Sequence, residues 1–131
     1  MIFVDTGAWY AIIIPTEPEH VSVMNWLSKN TQPLLTTDFV LDETVTLLKA
    51  RGHNHRALIF GQELFAGRAA ALHYVTPEDI QDAWRVFDRF SDKEWSFTDC
   101  VSKVVMEKFH LTQALALDHH FRQFGSVQIV P

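Results

Sequence analysis

The chain has one cysteine, Cys100, in 131 residues, so it cannot close an internal disulfide and fits a reducing compartment such as the cytoplasm. It also has no long hydrophobic run. The longest strongly apolar stretch, Ala8 to Ile14, is far shorter than the ~20 residues a membrane span needs. No basic segment precedes an apolar one at the amino terminus, so no secretory signal is expected. Basic residues are in the minority: 11 Lys and Arg against 16 Asp and Glu give a formal net charge of −5. That balance argues against the basic footprint usual in nucleic-acid binding. Bound cations would change the argument, because two divalent ions would almost neutralise the chain and free Lys49, Arg51, Arg56, Arg68 and Arg122 to meet phosphates. What is present is a core: 47% of residues are hydrophobic and 12% aromatic, which excludes a disordered chain. At this length the expectation is one domain, 1–131, burying roughly two-thirds of its unfolded surface. No repeat, low-complexity tract or long linker divides it.

Short apolar runs alternate with helical periodicity along the whole chain. Ile2-Phe3-Val4 reads as a buried strand, followed by a helical stretch from Gly7 to Ile14 that Pro15 stops. Glu19 to Lys29 has helical spacing, Pro33 to Thr36 resembles a strand, and Asp38 to Arg51 reads as a helix ended by Gly52. A helix from His55 to Ala66 precedes a strand at Leu72 to Val75. Pro77 opens another helix, with Ile80, Ala83, Trp84, Phe87 and Phe90 expected on one side. Thr98 to Phe109 is expected to be helical, followed by a strand at 114–117, a short helix at 118–124 closed by Gly125, and a strand at 127–130. Strands alternating with helices predict an α/β fold: a mostly parallel sheet covered on both faces. Ligands bind such sheets beyond the carboxyl ends of strands, where Asp5 and Asp118 fall.

Four acids sit where the local apolar pattern would prefer something else. Asp5 ends the first strand, Asp118 ends the run Ala114 to Leu117, Asp99 opens a helix, and Glu43 interrupts the apolar face of another. Each has an ordinary explanation. Asp5 and Asp118 suit helix N-caps, and Asp99 completes a capping box begun by Ser96. Glu43 is harder to dismiss, because its helical neighbours are Phe39, Val40, Thr46 and Leu47 and no basic partner is evident. Adjacent Asp42 faces Asp38, Thr46 and Lys49, toward water. If the four converge, their charges repel, and they remain ionised together only around a cation.

Phe3-Val4-Asp5-Thr6-Gly7-Ala8-Trp9-Tyr10-Ala11 resembles the opening of PIN-domain nucleases, particularly bacterial and archaeal toxins of the VapBC type. Phe39-Val40-Leu41-Asp42-Glu43-Thr44 resembles their second acidic segment, Ser96 to Cys100 the third, and Ala116 to Phe121 the fourth, in the family's order and approximate spacing. The resemblance implies a three-layer α/β/α PIN-like domain and an endoribonuclease that hydrolyses RNA phosphodiesters with metal-activated water. It carries the acidic roles to Asp5, Glu43, Asp99 and Asp118, and it implies a cognate VapB-type antitoxin and a homodimer. Many relatives have serine where Gly7 stands, and some carry another acid close to His120.

Oxygen-only donors select hard cations, so Mg²⁺ or Mn²⁺ is expected over Zn²⁺. Asp5 and Asp99 are the expected direct ligands. Asp118 ligates directly or through water, and Glu43 completes the cluster or orients the attacking water. Thr6 and Thr98 either support the ligands with their hydroxyls or cap helices. In rival classes, Asp5-Thr6-Gly7-Ala8 resembles the tetrapeptide of aspartic proteases, but those are built from strands and turns and this chain has only 5 glycines. A receiver domain would need a lysine after a late strand and leaves Glu43 unexplained. His53, His55, His119 and His120 lack a partner set at structural-zinc spacing and are expected at the surface or facing RNA. Cys100 reads as a small core residue. The alternative from another class is a catalytically silent PIN module that binds RNA or protein. Trp9, Tyr10, Trp26, Trp84 and Trp95 are first candidates for the core or an interface, with Trp9 and Tyr10 also considered for an antitoxin contact.

Overall fold

A computed structural model describes residues 1–131. Five strands, β1 (Ile2–Val4), β2 (Leu34–Thr37), β3 (Ala71–His73), β4 (Gln113–Leu115) and β5 (Gln128–Val130), form one parallel sheet in the order β3-β2-β1-β4-β5. The six α-helices are α1 (Thr6–Ile13), α2 (His20–Lys29), α3 (Asp38–Ala50), α4 (Asn54–Phe65), α5 (Pro77–Arg89) and α6 (Phe97–Lys108). A 3₁₀ turn, His119–Phe124, precedes β5. This is the expected α/β/α arrangement, and no helix is long and apolar enough to cross a membrane.

The central strand explains the sequence pattern. Ile2, Phe3 and Val4 are all buried, since β1 lies between β2 and β4 with helices over both faces of the sheet. Packing of α1, α2, α3 and α4 on one another makes one helical layer, and α5 and α6 with the 3₁₀ turn make the other. Phe3 stacks on Phe121 of that turn, with ring centroids 6.0 Å apart. From β1 the chain builds outward through β2 and β3, then returns to lay β4 and β5 on the other side. The carboxyl ends of β1 and β4 are therefore neighbours at the point where strand order reverses, which opens a crevice in parallel sheets.

Helix starts are fixed by capping. The Thr37 hydroxyl accepts from the Val40 N–H at 3.2 Å, Thr76 and Asp79 form a reciprocal box at the head of α5, and Ser96 and Asp99 do the same for α6. Pro77 is the first residue of α5, where its missing N–H costs nothing. Gly125 closes the 3₁₀ turn at φ 89°, a left-handed geometry that favours glycine.

Three expectations need correction. The third strand ends at His73 rather than Val75, because the Val75 N–H leaves the ladder and donates to Asp38 Oδ1 at 2.9 Å. The segment before Asp118 pairs only to Leu115, and the turn after it is 3₁₀, not α. The apolar residues of α5 do not share one buried side: Ala83 is buried, whereas Ile80, Phe87 and Trp84 are exposed, Trp84 by 62%. Spacing of i, i+4 and i+7 makes these three a second apolar stripe on the outside of the helix.

Candidate active site

Asp5 is held from both sides of its strand. The carbonyl of Val4 accepts from the Thr36 hydroxyl at 2.9 Å on the β2 side, and the Asp5 N–H donates to the Leu115 carbonyl at 3.1 Å on the β4 side. As the N-cap of α1, Asp5 makes no side-chain cap bond, so the ordinary explanation for a carboxylate at a helix start does not apply. Its Oδ1 is buried without a partner, as is the Thr6 hydroxyl. Burial pushes the Asp5 pKa up to about 8; the Thr6 amide opposes this, and the charges of Asp99, Glu43 and Asp118 raise it further. Acids from three separate elements thus act on one buried carboxyl.

Asp99 takes up the capping role that the sequence offered and makes a second contact besides. It is the buried third residue of α6, where its Oδ2 accepts from the Ser96 N–H at 3.0 Å and closes the capping box. The same atom accepts from His120 Nδ1 at 2.9 Å. Asp118 caps the 3₁₀ turn through Oδ1, which accepts from the His120 N–H at 2.9 Å, and its Oδ2 lies 3.4 Å from His120 Nδ1. Glu43 is half-buried on α3 while Asp42 beside it is exposed, as the helical phase required.

His120 is the residue that sequence reasoning missed. It was expected at the surface or facing RNA, yet its side chain is only 15% exposed and bridges Asp99 and Asp118. The available signal was its place two residues after Asp118, at the start of a turn. His119 does remain exposed and packs edge-on against it, with centroids 4.6 Å apart. The cations proposed for phosphate also need revision. Arg51 lies 4.9 Å over the Tyr10 ring, Arg56 Nη1 donates to the Ile13 carbonyl at 2.8 Å, and Arg68 pairs with Glu63. Arg122 is exposed. Cys100 is buried and its thiol is pushed up to about 11, by burial first and then by the charge of Asp99, so it is a core residue and not a nucleophile. Trp9 and Tyr10 are buried in the core.

The donor set fits a hard divalent cation. It offers carboxylate oxygens, one of them buried without any hydrogen-bond donor, in mutual repulsion that a cation would relieve.

Residues 2–127 match the PIN domain family. The 23S rRNA-specific endonuclease VapC20 of Mycobacterium tuberculosis is 31% identical over 131 residues, 100% of this chain and 99% of that protein. Ribonuclease VapC26 of the same species is 26% identical over 121 residues, 92% of this chain and 89% of that protein. The crystal structure of VapC20, described as a sarcin–ricin loop cleaving toxin, superposes with a TM-score of 0.92 at 28% identity, covering 100% of both chains. FitAcB from Neisseria gonorrhoeae, at 15% identity, shares the fold, with a TM-score of 0.70 over 100% of this chain and 97% of that one. The parallel sheet with its acids at the β1–β4 crevice, and a family match that runs almost end to end, make this chain a member of the PIN-domain family, of the VapC type.

Proposed function

We propose that the chain is a divalent-metal-dependent endoribonuclease toxin that hydrolyses RNA phosphodiesters in the cytoplasm and is neutralised by a VapB-type antitoxin. The observation that carries this reading is the buried, unpartnered Oδ1 of Asp5 among the charges of Asp99, Glu43 and Asp118. Such an arrangement is destabilising in isolation and suits a cation site. The ribonuclease names of its VapC relatives supply the reaction class, and the ribosomal specificity of VapC20 makes a structured loop of 23S rRNA the first substrate to try.

Asp5, Asp99, Asp118 and Glu43 would hold Mg²⁺ or Mn²⁺. When bound, the cation supplies an activated water and charge neutralisation for the cleaved phosphate. The chain's own contribution is placement. Asp5 is fixed by the two strands beside β1, and Asp99 by its capping box. Glu43, less buried, is free to orient water at the edge of the cluster. Thr6 brings a buried hydroxyl that has no other partner. The charges of Asp99, Glu43 and Asp118 at the Asp5 carboxyl support the enzymatic reading over the catalytically silent alternative.

Two surfaces fit the protein partners. Helix α4 leaves Leu58 and Phe65 exposed on a groove of about 440 Å³ that Leu41, Val45 and Ala57 also line. This face suits an apolar antitoxin segment and replaces Trp9 and Tyr10, which the core already buries. The outer stripe of α5, Ile80, Trp84 and Phe87, suits the homodimer contact. Sequencing of RNA ends after induced expression tests the function: a new, unique end in 23S rRNA supports it, and an unchanged pattern of ends with growth unaffected contradicts it.

A further inference from the structure

We infer that His120 is a positioning residue that holds Asp99 and Asp118, through its ring and its main chain, in the orientation that binds the cation. This rests on the metal-dependent reading above. A carboxylate oxygen has room for about two strong partners, and the partners can be counted. Asp99 Oδ2 already takes the Ser96 N–H at 3.0 Å and His120 Nδ1 at 2.9 Å. Asp118 Oδ1 takes the His120 N–H at 2.9 Å, and its Oδ2 stands 3.4 Å from the same Nδ1. Because its nearest partner is a carboxylate oxygen, Nδ1 carries the hydrogen. One residue therefore uses both its main chain and its ring to fix the two acids.

The ring N–H of His120 donates to Asp99 with Asp118 beside it, which eases the repulsion between the two carboxylates. Asp99 Oδ1, Asp118 Oδ2 and the buried Asp5 Oδ1 accept no hydrogen bond. His120 is well placed for the task, since its ring is largely buried and braced edge-on by His119.

The test is calorimetric titration of the chelator-treated full chain with Mn²⁺, with the melting temperature of the metal-free protein measured in parallel. The wild type is expected to bind Mn²⁺. His120→Ala should weaken binding by about 10–100-fold, the usual effect of removing a partner that orients a ligand. His120→Asn, whose amide can place an N–H near the Nδ1 position, should retain most of the affinity. His120→Gln, whose amide reaches toward the Nε2 position instead, should lose it as His120→Ala does. The Asn and Gln variants decide the question even if His120→Ala fails to fold. Equal affinities for the Asn and Gln variants would overturn the inference while sparing the ribonuclease reading. No Mn²⁺ binding by the wild type would sink both.

Discussion

The hydroxyl of Thr36 closes onto the carbonyl of Val4, 2.9 Å away and one residue before Asp5. The same hydroxyl accepts from the Trp9 indole N–H at 3.4 Å, so β2, β1 and α1 are tied together where the site begins. Thr36→Val keeps the shape and removes both bonds, leaving a buried donor and acceptor unpaired. The expected cost is about 1–3 kcal/mol in urea unfolding. A change within about 0.5 kcal/mol, the range of ordinary surface substitutions, would show that this bond does not hold the strand end.

The raised pKa of Asp5 predicts how the metal-free fold responds to pH. In the folded chain the carboxyl binds its proton more tightly than in the unfolded chain, with a pKa raised from 3.8 to about 8. Its contribution to stability is therefore fully present below about pH 4 and is lost as pH rises toward 8. With chelator present, the melting temperature of wild type should carry this downward component between pH 4 and 8, and Asp5→Asn should remove it. Added Mg²⁺ or Mn²⁺ should raise the wild-type melting temperature at pH 8 and leave Asp5→Asn nearly unchanged. A metal response of equal size in both proteins would exclude Asp5 as a ligand.

Asp79 gives the opposite sign. Burial alone would raise its pKa, but bonds from the Thr76 backbone, His73, Lys108 and the Thr76 hydroxyl outweigh burial and hold it well below the usual carboxylate range. Nε2 of His73 is 2.8 Å from it and Nζ of Lys108 is 3.1 Å away, so one carboxylate joins β3, α5 and α6. This contribution is present above about pH 4 and is lost as pH falls below it. Asp79→Asn should cost about 2–3 kcal/mol at pH 7 and flatten the acid limb of the stability curve. An unaltered acid limb would contradict the network.

The exposed face of α4 predicts a separation of binding from chemistry. Leu58→Glu combined with Phe65→Glu alters two exposed side chains remote from the four acids in sequence. The variant should lose at least tenfold in affinity for the antitoxin encoded by the neighbouring gene and keep its RNA cleavage. Retained affinity would place the antitoxin elsewhere.

Much of the fold was legible because buried parallel strands are short apolar runs, and Pro15, Gly52, Pro77 and Gly125 punctuate them. Glu43 was legible through helical phase alone. Less visible were relationships between distant residues. His120 meets Asp99 across 21 positions, Arg56 meets Ile13 across 43, and Asp38 captures the Val75 N–H across 37. None of these leaves a local pattern, so strand ends, cation partners and the role of His120 could not be read from spacing. Trp84 left a choice open for another reason. Its apolar stripe is real, and periodicity does not distinguish a face turned to the core from one turned to a partner.

The most direct measurement is cleavage of a 23S rRNA fragment by purified protein, comparing wild type, Asp5→Asn, Glu43→Gln and Asp42→Asn with Mn²⁺ and with chelator. Metal-dependent cleavage by wild type is expected, with losses of at least about 100-fold for Asp5→Asn and Glu43→Gln, the scale of a lost catalytic group. Asp42→Asn, whose side chain faces solvent, should remain within a few-fold of wild type. Full metal-dependent cleavage by a well-folded Asp5→Asn protein would contradict the account.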